Sequence, residues 1–159
     1  YRTFGRVLAL SILHGVPLHV RFPLYFYMVL MDIRPALIDI RHTHSELHHE
    51  LNSLITNGIQ GDRYFTVNNL NLIPNGHQIR VTPDNRDYYI ECMVLYVCYS
   101  QVVKEMVALK EGFFEIIPRR HFNGFKISEV RRLFYQPFGA ATPTSTQGSP
   151  SSVHHPSPT

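Results

Sequence analysis

Between Phe4 and Met31 the sequence FGRVLALSILHGVPLHVRFPLYFYMVLM is almost wholly apolar, yet polar and helix-breaking residues cut it in two. The apolar runs are VLALSIL (7–13) and FPLYFYMVLM (22–31), separated by His14, Gly15, Pro17, His19 and Arg21. A helix that spans a bilayer needs about 20 consecutive apolar residues, and neither run supplies them. Gly15 suits a helix stop, Pro17 forbids continuation, and Pro23 fits the first turn of a new helix. The pattern predicts two short buried helices joined by a sharp loop, not a membrane span.

Over 44–57 the apolar positions are Leu47, Leu51, Leu54 and Ile55, the spacing of one helix face. His48, His49, Glu50, Asn52 and Ser53 take the other face, and Asn57-Gly58 marks the end. RYFTVNNLNLIPNG (63–76) reads as a small hairpin about Asn68-Asn69, because asparagine tolerates the left-handed backbone of a tight turn. Asn75-Gly76 signals a further turn. Thr82 then offers an N-cap, with Pro83 at the first helical position. From Cys92 to Tyr99 every residue is apolar or aromatic, which predicts burial all round. Past Ser100 the pattern turns amphipathic: Val102, Val103, Met106 and Leu109 on one face, Lys104, Glu105 and Glu111 off it. The change predicts two helices or one kinked helix, closed by Gly112 and stopped by Pro118. ISEVRRLFYQP gives a last short helix capped by Ser128.

From Phe138 onward the sequence FGAATPTSTQGSPSSVHHPSPT has almost nothing to bury, and reads as a disordered Ser/Thr/Pro-rich tail (138–159). The preceding 1–137 read as one predominantly helical α+β domain with a small β-hairpin, in a chain of 159 residues that is 44% hydrophobic. The chain opens YRTFGR, with no Met and no signal-peptide pattern, as a fragment would.

Charge and candidate chemistry narrow the function more by exclusion than by assignment. The net charge is +3, and Lys and Arg are scattered apart from the pairs at 119–120 and 131–132. A nucleic-acid footprint needs clustered cations with interleaved aromatics, so a mixed solvated surface is the preferred reading. Cys92 and Cys98 match neither CxxC nor a zinc half-site, and read as two buried thiols in a reducing compartment. His42, His44, His48 and His49 are close in sequence, and His44 and His48 could share one helix face. No HExxH and no third ligand at a diagnostic spacing follows, so a polar helix face is preferred over a metal site. GxSxG, P-loop and GxGxxG patterns are absent, and no cofactor is expected.

Four stretches nevertheless resemble, in order, the N-terminal lobe (N-lobe) of the HECT-type E3 ubiquitin-protein ligases. They are FGRVLALSILHGVPLHVRFPLYFY (4–27), DIRPALIDIRHTHSELHHELNSLI (32–55), LIPNGHQIRVTPDNRDYYIE (72–91) and MVALKEGFFEIIP (106–118). The wording FGRVLAL and MDI…IDIR is nearest to plant-type members. The resemblance implies that 1–137 form a partial N-lobe, which docks a ubiquitin-conjugating enzyme for transfer of ubiquitin to protein substrates. It implies a cytoplasmic or nuclear protein, with no nucleic-acid or membrane partner.

In that family a C-lobe cysteine in a T-C-F-like loop carries ubiquitin as a thioester, which divides one hard acyl transfer into two easier ones. No T-C-F occurs here, and Cys92 and Cys98 fall within the long N-lobe helix. The resemblance therefore implies no catalytic residue in this chain, and leaves a non-catalytic protein-binding remnant as the alternative. It also implies that a segment preceding Tyr1 packs on the opening helices. Carried over by position, the apolar docking groove comprises Leu47, Leu51 and Leu54 on one helix and Tyr89 and Met93 on the next. Asn57 stands where an aromatic is frequent. Leu47 fits core and groove equally, whereas Tyr89 and Met93 are expected as an exposed aromatic–Met pair.

Overall fold

The computed structural model describes residues 1–18 and 20–135; the tail expected over 138–159 lies outside the described residues. Among the described residues six α-helices form: α1 (Arg2–Leu13), α2 (Leu24–Leu30), α3 (Ser45–Thr56), α4 (Arg86–Cys98), α5 (Val103–Ile116) and α6 (Ile127–Leu133). Short 3-10 turns lie at Leu37–Ile40, Gly76–Gln78, Ser100–Val102 and Arg119–Phe122. Strands β1 (Thr66–Val67) and β2 (Leu70–Asn71) pair antiparallel, Thr66 with Asn71 and Val67 with Leu70. Asn68 (φ 47°) and Asn69 (φ 63°) both take the left-handed turn conformation that the sequence predicts.

Two apolar cores share these elements. The first joins α1, α2, α5, α6 and the 119–122 turn through Leu8, Tyr27, Leu30, Phe113 and Phe134. The second lies within 37–98 and contains Ile40, Leu51, Leu54, Phe65, Tyr89, Met93 and Val94. Helix α2 faces both, with Tyr27 buried in the first core and Tyr25 against the second. In chain order, the second core is therefore inserted between the two halves of the first.

The first core depends on a close crossing of α1 and α5, the most extensively packed helix pair. A Cβ at Gly5 would stand 2.0 Å from the Leu109 carbonyl oxygen, and one at Gly112 would stand 1.9 Å from the Arg2 carbonyl oxygen. No side chain fits between backbones at that separation. Gly112 thus does not close the helix, as its position in the sequence predicts; it lies inside α5, which runs on to Ile116. Arg2 and Arg6 flank the crossing and both donate to the Glu115 carboxylate, at 3.1 and 2.9 Å.

Several boundaries differ from the sequence prediction for local reasons. Helix α4 starts after Asn85, not at Pro83, because the Asn85 side chain accepts from the Thr82 amide (2.8 Å) and donates to the Arg80 carbonyl (3.0 Å), holding a turn there. Helix α6 starts after Lys126, not Ser128, and the Lys126 amide donates to the Glu129 carboxylate at 2.7 Å. Helix α1 buries only Gly5, Leu8, Ala9 and Ile12, while Phe4, Val7, Leu10 and Leu13 remain exposed. Of Cys92–Tyr99, only Met93, Val94 and Cys98 are fully buried, and the rest are half-buried. By length and mean hydropathy (1.4) the run Arg86–Ile116 could cross a membrane. Its helix breaks at Tyr99, however, and its halves belong to different cores.

Candidate functional site

The residues singled out for docking are brought together, but mostly under the surface. Leu51 (0% exposed), Leu54, Tyr89 (2%) and Met93 are sealed in the second core, and Leu47 is half-buried beside them. The expectation of an exposed Tyr89–Met93 pair is corrected. The spacing that puts these two side chains on one face of α4 turns that face toward α3 and the hairpin. Tyr89 stands edge-on to Phe65, with ring centroids 5.4 Å apart and planes at 87°. Arg63 at the hairpin entrance donates to Glu50 of α3 (2.6 Å), tying hairpin and helix on the same side.

What opens to solvent is the neighbouring register. Tyr88 (53% exposed), Asp87 and Glu91 form the outer face of α4, and Ile55 (45%) ends the outer face of α3. Between them runs a shallow cleft of about 220 Å³, floored by Leu37, Ile90 and Val94 and walled by Pro35, Ile55 and Glu91. Ile38 projects from the adjoining 3-10 turn, whose Ala36 amide donates to the Asp39 carboxylate at 2.8 Å. Sequence reasoning missed Tyr88 and took Ile55 as inward-facing. The signal was present, because Asp87 and Glu91 lie four residues apart around Tyr88 and mark the wet face of the helix.

Neither thiol sits in a nucleophile's environment. Cys98 is buried, and burial, with Asp39 adding a smaller effect, pushes its thiol up to about 12. Cys92 is half-buried, and burial raises its thiol as well. A nucleophilic cysteine needs the opposite, a site that stabilises thiolate near neutral pH. His44 and His48 are half-buried on or beside α3, and among the described residues no three His, Cys, Asp or Glu side chains converge to hold a metal.

Residues 1–137 match the model of the HECT domain (ubiquitin-transferase). The chain is 30% identical over 144 residues to the E3 ubiquitin-protein ligase RSP5 of Chaetomium thermophilum, covering 84% of this chain and 18% of that protein. It is 27% identical over 143 residues to the ligase pub1 of Schizosaccharomyces pombe, covering 84% and 19%. With human HECW2, also named an E3 ubiquitin-protein ligase, identity is 32% over 140 residues, covering 82% and 9%. The chain thus spans less than a fifth of the length of these relatives. Motif order, predominantly helical fold and family match converge, and the chain belongs to the HECT-domain family of ubiquitin ligases.

Proposed function

We propose that this chain is the N-lobe part of a HECT-type ubiquitin ligase and docks a ubiquitin-conjugating enzyme, for transfer of ubiquitin to protein substrates. The observation that carries this reading is the apolar cleft between α3, α4 and the 37–40 turn, with Ile55 exposed on its wall and Ile38 and Tyr88 exposed on the adjoining turn and helix. An exposed apolar row next to polar residues is what a transient partner surface needs. Leu51, Leu54, Tyr89 and Met93 act in it from beneath, by fixing the angle between α3 and α4, and half-buried Leu47 extends it. Ubiquitin transfer through a thioester requires a cysteine other than Cys92 or Cys98. The raised thiols of those two residues favour the second reading, in which the chain alone is a protein-binding module without catalysis.

Calorimetric titration against a panel of purified conjugating enzymes tests docking. Because Ile55 and Tyr88 are exposed, Ile55→Asp and Tyr88→Ala leave the core intact. Each is expected to weaken binding about tenfold or more, as loss of an interface anchor does. Absence of binding across the panel, or binding indifferent to both substitutions, overturns the proposal.

A further inference from the structure

A second surface lies on the elements of the first core and shares no lining residue with the docking cleft. The C-terminal end of α1, the 119–122 turn and α6 enclose a cavity of about 270 Å³. Its walls are apolar: Ile12, Leu13, Ile117, Phe122, Phe125 and Leu133. Leu13 (58% exposed) and Phe125 (42%) stand at the rim, so the cavity opens to solvent. The size falls below the roughly 300–1,000 Å³ of sites that enclose a whole small molecule, and suits one bulky side chain.

The chain segment that bounds this cavity is strongly basic. Between Ile117 and Tyr135 the sequence carries five Lys and Arg residues against a single acid, Glu129. Arg119 is held by Asp32, and Glu129 accepts from the Lys126 amide. Arg120, Lys126, Arg131 and Arg132 are exposed, and among the described residues none of them has a carboxylate partner. His121 contributes the polar part of the wall, its Nδ1 facing the Pro118 carbonyl oxygen at 3.1 Å. Residues 136–159, which follow in the sequence, contain no Asp or Glu.

We propose that this surface docks an acidic peptide segment of a partner protein, which inserts one bulky apolar side chain into the cavity between α1, the 119–122 turn and α6. The cations attract and orient the segment, and the cavity selects its anchor. An anionic membrane would meet the same charges, but a membrane surface fits a flat apolar patch and not a concave seat for a single side chain.

The test is fluorescence anisotropy of the full chain with three labelled peptides. EEDFLEDE supplies acid and anchor, EEDAAEDE supplies acid alone, and KKRFLKRK supplies anchor with the opposite charge. Only the first is expected to bind tightly, with EEDAAEDE about tenfold weaker or worse and KKRFLKRK not bound. The double substitution Arg120→Glu with Arg132→Glu, and separately Leu13→Asp, should each abolish most of that binding. Lys104→Glu, at the opposite end of α5, should leave it unchanged. Equal binding of EEDFLEDE and EEDAAEDE, or indifference to both cavity variants, would overturn the proposal. So would retention on phosphatidylserine vesicles or on oligothymidylate without binding of EEDFLEDE.

Discussion

Gly5 and Gly112 set two opposing tendencies against each other. Glycine inside a helix costs about 1 kcal/mol relative to alanine, so Gly112→Ala would stabilise α5 as an isolated helix. In the folded chain the new methyl meets the Arg2 carbonyl oxygen at 1.9 Å, and that atom is backbone that cannot rotate away. Sterics therefore dominate, and α1 must lift off α5. Forced overpacking costs about 1–3 kcal/mol, enough to outweigh the propensity gain. Gly112→Ala and Gly5→Ala are both expected to lower the urea midpoint. A raised midpoint for Gly112→Ala would mean that the crossing is looser than described. Sequence alone gave no warning here, because a glycine late in an amphipathic run looks like a helix stop. Only the partner helix, a hundred residues away in the chain, makes it an interior residue.

At the scale of elements, the notable connection is made by Asp32. It follows α2 with φ 57° and its carboxylate pairs with Lys110 of α5 and Arg119 of the next turn. Arg119 also donates to the Met31 carbonyl at 2.7 Å. Three elements are thereby tied at the junction of the two cores. Burial tends to raise the Asp32 carboxyl, but Lys110 and Arg119 outweigh it and leave it below its ordinary 3.8. A carboxylate lowered in the folded state stabilises the fold above its unfolded value, and that contribution is lost as pH falls through the folded one. The tie should thus be intact at neutral pH and weaken only below about pH 4. Asp32→Asn is expected to destabilise the chain at pH 7 and to make the acid limb of stability against pH shallower. An acid limb identical to the parent's would remove Asp32 from the account. Element boundaries were legible in the sequence where breakers were strong, as at Gly15, Pro23 and Asn68-Asn69. They were misread where a side chain decided the start, as Asn85 and Glu129 do. The family resemblance grouped Leu47, Leu51, Leu54, Tyr89 and Met93, and the fold brings them together in and beside the second core. Which way that group faced depended on α3 and α4 meeting, and single-helix periodicity carries no information about a partner.

For the whole molecule, the family relationship and the thiol environments lead to one expectation. Incubated with ubiquitin-loaded conjugating enzyme, this chain should form no thiol-sensitive ubiquitin adduct. With Cys98 pushed up to about 12, its thiolate fraction near pH 7 is negligible. Mass spectrometry that locates ubiquitin on Cys92 or Cys98 would contradict this. The same scale holds a feature that composition could not disclose, namely the division into two cores. One stretch, Arg86–Ile116, supplies both, and hydropathy reports its apolar content without the break at Tyr99 that shares it out.

The α1–α5 crossing also has a consequence in time. Gly5 finds its partner only once residues near Gly112 have been made, whereas the elements of the second core are complete by Cys98. At roughly 5–20 residues per second, α1 leaves the ribosome about 5–20 s before the helix that covers its inner face. Throughout that interval the face of α1 that carries Gly5 lacks the helix that covers it. Closure of the first core therefore waits on the synthesis of α5, about a hundred residues after α1, and the inner face of α1 is a surface for ribosome-associated chaperones during those seconds.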